Sequence, residues 1–251
     1  MSLKRHIPNS VTLLNLFSGC IAVIFAVYGN LIAATVFVLL GIFFDFFDGL
    51  LARKLKVQSP LGIQLDSLAD LVTSGVVPGI IMFKLMSLTV DAPDYGAYDD
   101  RWNSILNWQG LKMSVVPLIG LLIALASAYR LAKFNLDEDQ QSYFKGLPVP
   151  ANTLVIVSLP LILEYQNSDL MNAIIINKWF LIGLTLLSCY LLNSHIKLFA
   201  LKFENWSFKD NAVRYIFLIL SAVFLVVLQF AAIPLIIIVY ILLSLLIRSK
   251  I

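Results

Sequence analysis

Short polar turns divide this chain into eight strongly apolar segments, and segments of that kind restrict the backbone severely. In hydrocarbon every N–H and C=O must be paired within the chain, so an apolar run of about 20 residues becomes a membrane-spanning helix. The pattern predicts helices from about Pro8 to Tyr28, Leu31 to Lys54, Pro60 to Met86, Met113 to Phe134, Pro150 to Glu164, Asn172 to Asn193, Val213 to Phe230 and Pro234 to Ile247. Pro8 is placed to start the first, Gly29-Asn30 to turn into the second, and Pro78 to kink the third. Of 251 residues 60% are hydrophobic and only 13% are charged, against roughly 25% charged in ordinary soluble domains. No polar stretch is long enough to form a soluble domain. The expectation is therefore an all-α, polytopic integral membrane helical bundle of about eight transmembrane helices, forming a single membrane domain. Met1 to His6 is short and basic and no small-residue cleavage site follows, so the first helix is expected to stay in the mature protein. Cys20 and Cys189 both fall in apolar segments and read as core residues rather than a disulfide or a metal site.

Eight spans put both ends of the chain on one side. Placing Lys4, Arg5, Arg53, Lys54, Lys56, Arg130, Lys133, Lys145, Lys197, Lys202, Lys209, Arg214, Arg248 and Lys250 there collects 14 of the 18 basic residues. By the positive-inside rule that side is cytoplasmic, and the expected location is the cell inner membrane. The net charge of +3 then reflects topology and attraction to anionic headgroups. Nucleic acid is not an expected partner, because no basic groove with interleaved aromatics appears. The longest polar loop, about Ser87 to Lys112, carries Tyr95, Tyr98, Trp102 and Trp108 and reads as an external loop with an aromatic rim.

Against this apolar background stand four aspartates, Asp45, Asp48, Asp66 and Asp70. An ionised carboxylate in a membrane costs at least a few kcal/mol, so it normally faces a polar cavity and has a partner. At about 100° per residue, Asp45 and Asp48 lie about 60° apart on their helix, and Asp66 and Asp70 about 40° apart on theirs. Gly49 and Ala52 share the face of the first pair, Gly62 precedes Asp66 by one turn, and Arg53 offers a fork for phosphate. Oxygen ligands, small residues that leave room and a phosphate-binding cation suit Mg2+ or Mn2+ holding a diphosphate. The plain alternative is a structural ion-pair network with Arg53, Lys54 and Lys56.

The pattern Asp45-x-x-Asp48-Gly49-x-x-Ala52-Arg53, eight residues, then Gly62-x-x-x-Asp66-x-x-x-Asp70 resembles the signature of the CDP-alcohol phosphotransferase family at every fixed position. The resemblance implies a membrane enzyme that moves a phosphatidyl or similar group from a CDP-linked donor to an alcohol, releasing CMP. It implies that Asp45, Asp48, Asp66 and Asp70 share metal ions, expected to be two, and that Asp70 is the general base. Asp48, Gly49, Ala52, Arg53 and Gly62 would accommodate the CDP diphosphate, and a homodimer is expected. With no second nucleophile in view, direct displacement is expected rather than a covalent intermediate.

Two further stretches resemble the bacterial phosphatidylserine synthase branch of that family. One is Ile7-Pro8-Asn9 with Thr12 and Asn15, candidates for the cytidine side of the donor site. The other is Tyr129 to Asn135 followed by Phe144-Lys145-Gly146-Leu147-Pro148-x-Pro150-Ala151. The branch implies CDP-diacylglycerol as donor and L-serine as acceptor, with Arg130 and Lys133 as candidates for the serine carboxylate or the lipid phosphate. This chain has Lys133 where many relatives carry arginine and Asn152 where a small residue is common. The resemblance covers about residues 7 to 152, so the expectation is a catalytic core over 1–152 and additional transmembrane helices over 153–251. Arg130 and Lys133 also fit simple positive-inside anchoring, and Asn9, Thr12 and Asn15 fit helix-start and interhelical hydrogen bonds. Other acceptors, glycerol 3-phosphate or inositol, stay open. So does a cation-coupled transporter, although no second copy of the aspartate pattern, the mark of many transporter repeats, is present.

Overall fold

The computed structural model describes residues 6–90, 115–136, 143–199 and 208–247. Helix α1 (His6–Val27) turns through Gly29, whose φ of +83° suits a residue without a Cβ, into α2 (Leu31–Lys54). Asn30 caps α2 by accepting from the Ala33 amide at 3.0 Å. After a short turn, Ser59 caps α3 (Pro60–Asp70) by accepting from Gly62 N at 3.1 Å. A π-helical turn, Leu71–Val76, then leads into α4 (Val77–Ser87).

The sequence predicts a kink at Pro78, and the structure instead carries one 28-residue apolar helix, Pro60–Ser87, with the π turn just before the proline. Pro78 has no N–H to give to the Ser74 carbonyl four residues back. Thr153 Oγ1, from a neighbouring helix, donates to that carbonyl at 2.7 Å, so the orphaned group is satisfied without breaking the rod.

A 3-10 turn (Val116–Leu121) opens α5 (Leu122–Leu136). The short strand β1 (Tyr143–Lys145) precedes α6 (Val149–Tyr165), and a pair bent by 60°, α7 (Asp169–Ile175) and α8 (Lys178–Asn193), follows. Strand β2 (Lys197–Phe199) pairs antiparallel with β1 in the register Tyr143↔Phe199, Phe144↔Leu198, Lys145↔Lys197. The chain closes with α9 (Phe208–Leu228) and α10 (Ala232–Ile247).

Among the described residues five helices are long and apolar enough to cross a membrane, six if the bent pair counts as one span. The protein is an all-α, multi-pass membrane bundle with one small β ribbon at its edge. Residues 211–246 form one apolar run by composition, but they fold back on themselves. The Phe217 and Tyr240 rings lie 5.7 Å apart, whereas a straight helix would separate them by about 35 Å at 1.5 Å per residue. Gln166 holds the bend from both sides, donating to the Leu228 carbonyl at 2.9 Å and accepting from Ala231 N at 2.8 Å.

The core runs through α1, α2, α4 and α6, where Ala22, Ala26, Ala34, Val38, Ile81, Met82 and Ile156 are fully buried. Large apolar side chains such as Phe17, Phe43, Phe46 and Val226 lie on the outside, where lipid is their natural solvent. Cys20 is also on the outside and Cys189 half-buried, so the expectation that both are core residues is corrected. In a bilayer an apolar helical position gains as much from lipid as from protein. The expected loop 87–112 lies largely outside the described residues, as do Lys4, Arg5, Lys202, Arg248 and Lys250.

Candidate active site

Helix α1 packs against both α2 and α3, which brings its own N-terminal part, the C-terminal part of α2 and α3 to one end of the bundle. A carboxylate oxygen from each of Asp45, Asp48 and Asp66 lies within 4.8 Å of the others. Asp70, one turn beyond Asp66, faces Asp45 and Asp66 closely enough to feel their charge. Thus the structure gathers all four predicted aspartates, from two helices, into one cluster.

Among the described residues no cation balances them. The only charges acting on Asp45, Asp66 and Asp70 are those of the other aspartates. Arg53, Lys54 and Lys56 are exposed, and Arg53 Nε donates to its own helix at the Gly49 carbonyl, 3.0 Å away. The ion-pair alternative therefore has no support in the geometry. Asp48 is 4% exposed, and its Oδ2 is buried without a hydrogen-bond partner among the described residues. A buried carboxylate oxygen in that state is strongly unfavourable unless a ligand completes it. Hard oxygen donors crowded together, one of them orphaned, fit a divalent ion such as Mg2+ or Mn2+.

Asp70 is oriented by a relay. Asn15 Nδ2 donates to Asp70 Oδ1 at 3.1 Å, and Thr73 Oγ1 donates to Asn15 Oδ1 at 2.8 Å. Asn15 is fully buried and Thr73 nearly so. Thr73 fits between α1 and α2 because both carry glycine there. A Cβ on Gly41 would come within 2.6 Å of Thr73 Cγ2 and 2.9 Å of Asn15 Oδ1, and a Cβ on Gly19 would collide with the Thr73 hydroxyl. Thr73 is absent from the sequence-level candidates. Its one signal is position, three residues past Asp70 on the same helical face.

The remaining candidates divide. Thr12 lies beside Asp48 and gives its hydroxyl to the Pro8 carbonyl at 3.1 Å. Asn9 reaches the start of α3, where a Cβ on Gly62 would meet Asn9 Oδ1 at 3.2 Å. Gly62 thus serves close packing, and the open space expected beside it is taken by Asn9. Space does remain at Gly49, where an added Cβ would meet nothing nearer than the Arg53 guanidinium at 3.9 Å. Ala52 is half-buried on the same helix.

Arg130 and Lys133 stand apart from the acidic cluster, in a cleft shared with Lys145 and the turn after α8. Helix α5 runs antiparallel to α3 in a register fixed at two points. Asn135 Nδ2 donates to Ser67 Oγ at 2.9 Å, and a Cβ on Gly75 would touch Ser127 Cβ at 3.1 Å. Arg130 is thereby level with Val72, about 3 Å along the axis from Asp70.

A family model described as CDP-alcohol phosphatidyltransferase matches residues 5–190. The chain belongs to this family. Curated relatives include the CDP-diacylglycerol–serine O-phosphatidyltransferase of Bacillus subtilis (strain 168), 33% identical over 159 residues covering 62% of this chain and 75% of that one. The archaetidylserine synthase of Methanothermobacter thermautotrophicus is 30% identical over 155 residues, 61% of this chain and 56% of its own. The CDP-diacylglycerol–serine O-phosphatidyltransferase of Saccharomyces cerevisiae is 29% identical over 175 residues, 63% and 55% respectively. The chain thus spans three quarters of the first relative and little more than half of the other two. Membership in this transferase family removes the transporter alternative.

Proposed function

We propose that this CDP-alcohol phosphatidyltransferase moves the phosphatidyl group of CDP-diacylglycerol to the hydroxyl of L-serine, giving phosphatidylserine and CMP. The observation that carries the reading is the cluster of four convergent carboxylates, with no cation among the described residues, at one end of a membrane bundle. The names of the relatives support serine as acceptor, and the motif around Arg130, Lys133 and Lys145 agrees with it.

Asp45, Asp48, Asp66 and Asp70 would hold divalent ions, two in our reading, which supply positive charge to the diphosphate and to the departing phosphate. The chain's own residues do the rest. Asp48, Gly49, Ala52 and Arg53 frame the CDP diphosphate, with Gly62 letting Asn9 pack close to the start of α3: Gly49 leaves room, and the Arg53 guanidinium has donors left after its bond to Gly49 O. Asn9 and Thr12 flank the same space from α1. Asp70, oriented by Asn15 and Thr73, takes the proton of the serine hydroxyl as that oxygen attacks the phosphatidyl phosphorus in line. The P–O bond to CMP breaks, and CMP leaves with the bridging oxygen. Arg130 and Lys133 lie at the right depth to hold the serine carboxylate.

In this reading residues 1–152 are the catalytic core and 153–251 add further spans to the same membrane domain. Eight spans with most basic residues inside would put the acidic cluster on the cytoplasmic side of the inner membrane, where serine and CMP exchange with water. The family resemblance adds a homodimer.

Purified protein in detergent, given CDP-diacylglycerol and Mn2+ or Mg2+, tests the proposal by CMP release with L-serine, inositol or glycerol 3-phosphate. Serine-dependent release is expected. Release only with another alcohol would keep the aspartate chemistry and discard serine.

A further inference from the structure

A second apolar cluster, separate from the core of α1, α2, α4 and α6, lies where the β ribbon meets the last two helices. Leu147, Leu198, Phe199, Phe217 and Tyr240 are buried in it. Three of these rings pack on one another. Phe199 lies 4.9 Å from Tyr240 and 6.0 Å from Phe217, both edge to face, and Phe217 lies 5.7 Å from Tyr240. Tyr240 also donates its hydroxyl to the Phe199 carbonyl at 2.8 Å. One side chain of α10 thus grips both the ring and the backbone of β2, with a ring of α9 closing the stack.

The ribbon needs such a grip, because two strands of three residues are too short to be stable alone. Gly146 N donates to the Ile196 carbonyl and Leu147 N to the Leu191 carbonyl, both at 2.9 Å, which ties one end of the ribbon to the turn after α8. The other end, where Tyr143 pairs with Phe199, is the end that Tyr240 holds. Helix α10 packs on α6 as well as on β2, so it braces the segment from Tyr143 to Ala151 from both sides. That segment matters to the site, since the end of β1 lines the cleft that contains Arg130 and Lys133.

We infer that α9 and α10 clamp the acceptor side of the site, with Tyr240 as a positioning residue that acts through Phe199 and the ribbon. The inference rests on the acceptor placement proposed above. It adds to that placement a part from beyond residue 190, where the match to the family model ends. The aspartates stand on α2 and α3, which pack on α1. A looser ribbon should therefore weaken capture of the acceptor and leave donor binding and the chemical step unchanged.

The test compares full-length wild type with Tyr240→Phe, which keeps the ring and loses the hydroxyl, and with Tyr240→Leu, which loses both. A third variant, Gln166→Leu, loosens the same helix pair at its bend, about 14 Å away along α10. KM for L-serine, KM for CDP-diacylglycerol and kcat are measured in detergent, together with hydrogen exchange at residues 143–147. The expected result is a KM for serine raised about threefold in Tyr240→Phe and about tenfold in Tyr240→Leu, with ribbon exchange faster in the same order. KM for CDP-diacylglycerol and kcat should stay within about twofold of wild type. Gln166→Leu should lower the unfolding midpoint without moving KM for serine. An equal rise in KM for Gln166→Leu would make Tyr240 one of many residues that hold the bundle together, and would overturn the inference. So would an unchanged KM for serine beside faster ribbon exchange, or a loss confined to kcat and the unfolding midpoint. A wild type that uses glycerol 3-phosphate or inositol instead sinks the serine reading alone, and the same comparison is then decided on the KM for that alcohol.

Discussion

Asp70 is held by two side chains that reach it from different elements, Asn15 of α1 and, through it, Thr73 of the π turn. This arrangement separates two kinds of loss. Asp70→Asn keeps the shape and removes the proton acceptor, so turnover should fall by about 100-fold to 10,000-fold with donor binding partly retained. Asp45→Asn should weaken the metal and the donor together, seen as a higher Mn2+ requirement and a higher KM for CDP-diacylglycerol. Full activity in Asp70→Asn would end the base assignment. Asn15→Ala leaves the carboxylate in place but unoriented, and the expected cost is about 10- to 100-fold in kcat. The same variant with normal kcat would make Asn15 a packing residue only. The four aspartates were legible because carboxylates are conspicuous in apolar helices and helical spacing puts each pair on one face. Thr73 was not, because its meaning comes from a contact across 58 residues and from glycines on two other helices.

Helices are the scale at which the sequence speaks most directly. α2 has the predicted ends and α1 lies within two residues of its own, because apolar runs bounded by Gly29-Asn30 and Lys54 leave little choice, whereas the single helix expected from Asn172 to Asn193 is broken into α7 and α8. Less legible were elements defined by other elements. Two strands of three residues each carry no usable period, and they exist because the turn after α8 offers partners to the segment before α6. Pro78 is the clearer case, since a proline in a helix announces a broken bond but not its repair. Thr153→Val removes that repair, leaving the Ser74 carbonyl buried with its lone pairs unmet. The expected cost is about 1 kcal/mol, within the range of interhelical hydrogen bonds in membranes, read as a lower midpoint for unfolding in detergent. An unchanged midpoint would mean that the π turn rearranges to satisfy Ser74 itself.

At the scale of the whole molecule, the placement of the site depends on how many times the chain crosses the bilayer. The apolar run 211–246 is decisive, since a single crossing there would put the two ends of the chain on opposite faces. The ring contact between Phe217 and Tyr240, at 5.7 Å, requires two antiparallel helices. Gln166 requires their bend to lie at the far end of α6, because it hydrogen-bonds both Leu228 and Ala231. That end is opposite Asp48 and Asp70, on the side of Gly29 and Asn30, which line a second cleft with Glu164 and Tyr165. Single cysteines on a background lacking Cys20 and Cys189 turn this into an experiment. Tyr28, Gln229 and Lys56 are all exposed. With an impermeant maleimide on intact cells, Tyr28→Cys and Gln229→Cys should label, while Lys56→Cys should label only after the membrane is opened. Labelling of Lys56→Cys from outside would invert the bundle and place CMP release on the wrong face for a cytoplasmic acceptor. Protection of Gln229→Cys beside a labelled Tyr28→Cys would instead leave the site where it is and remove the last crossing.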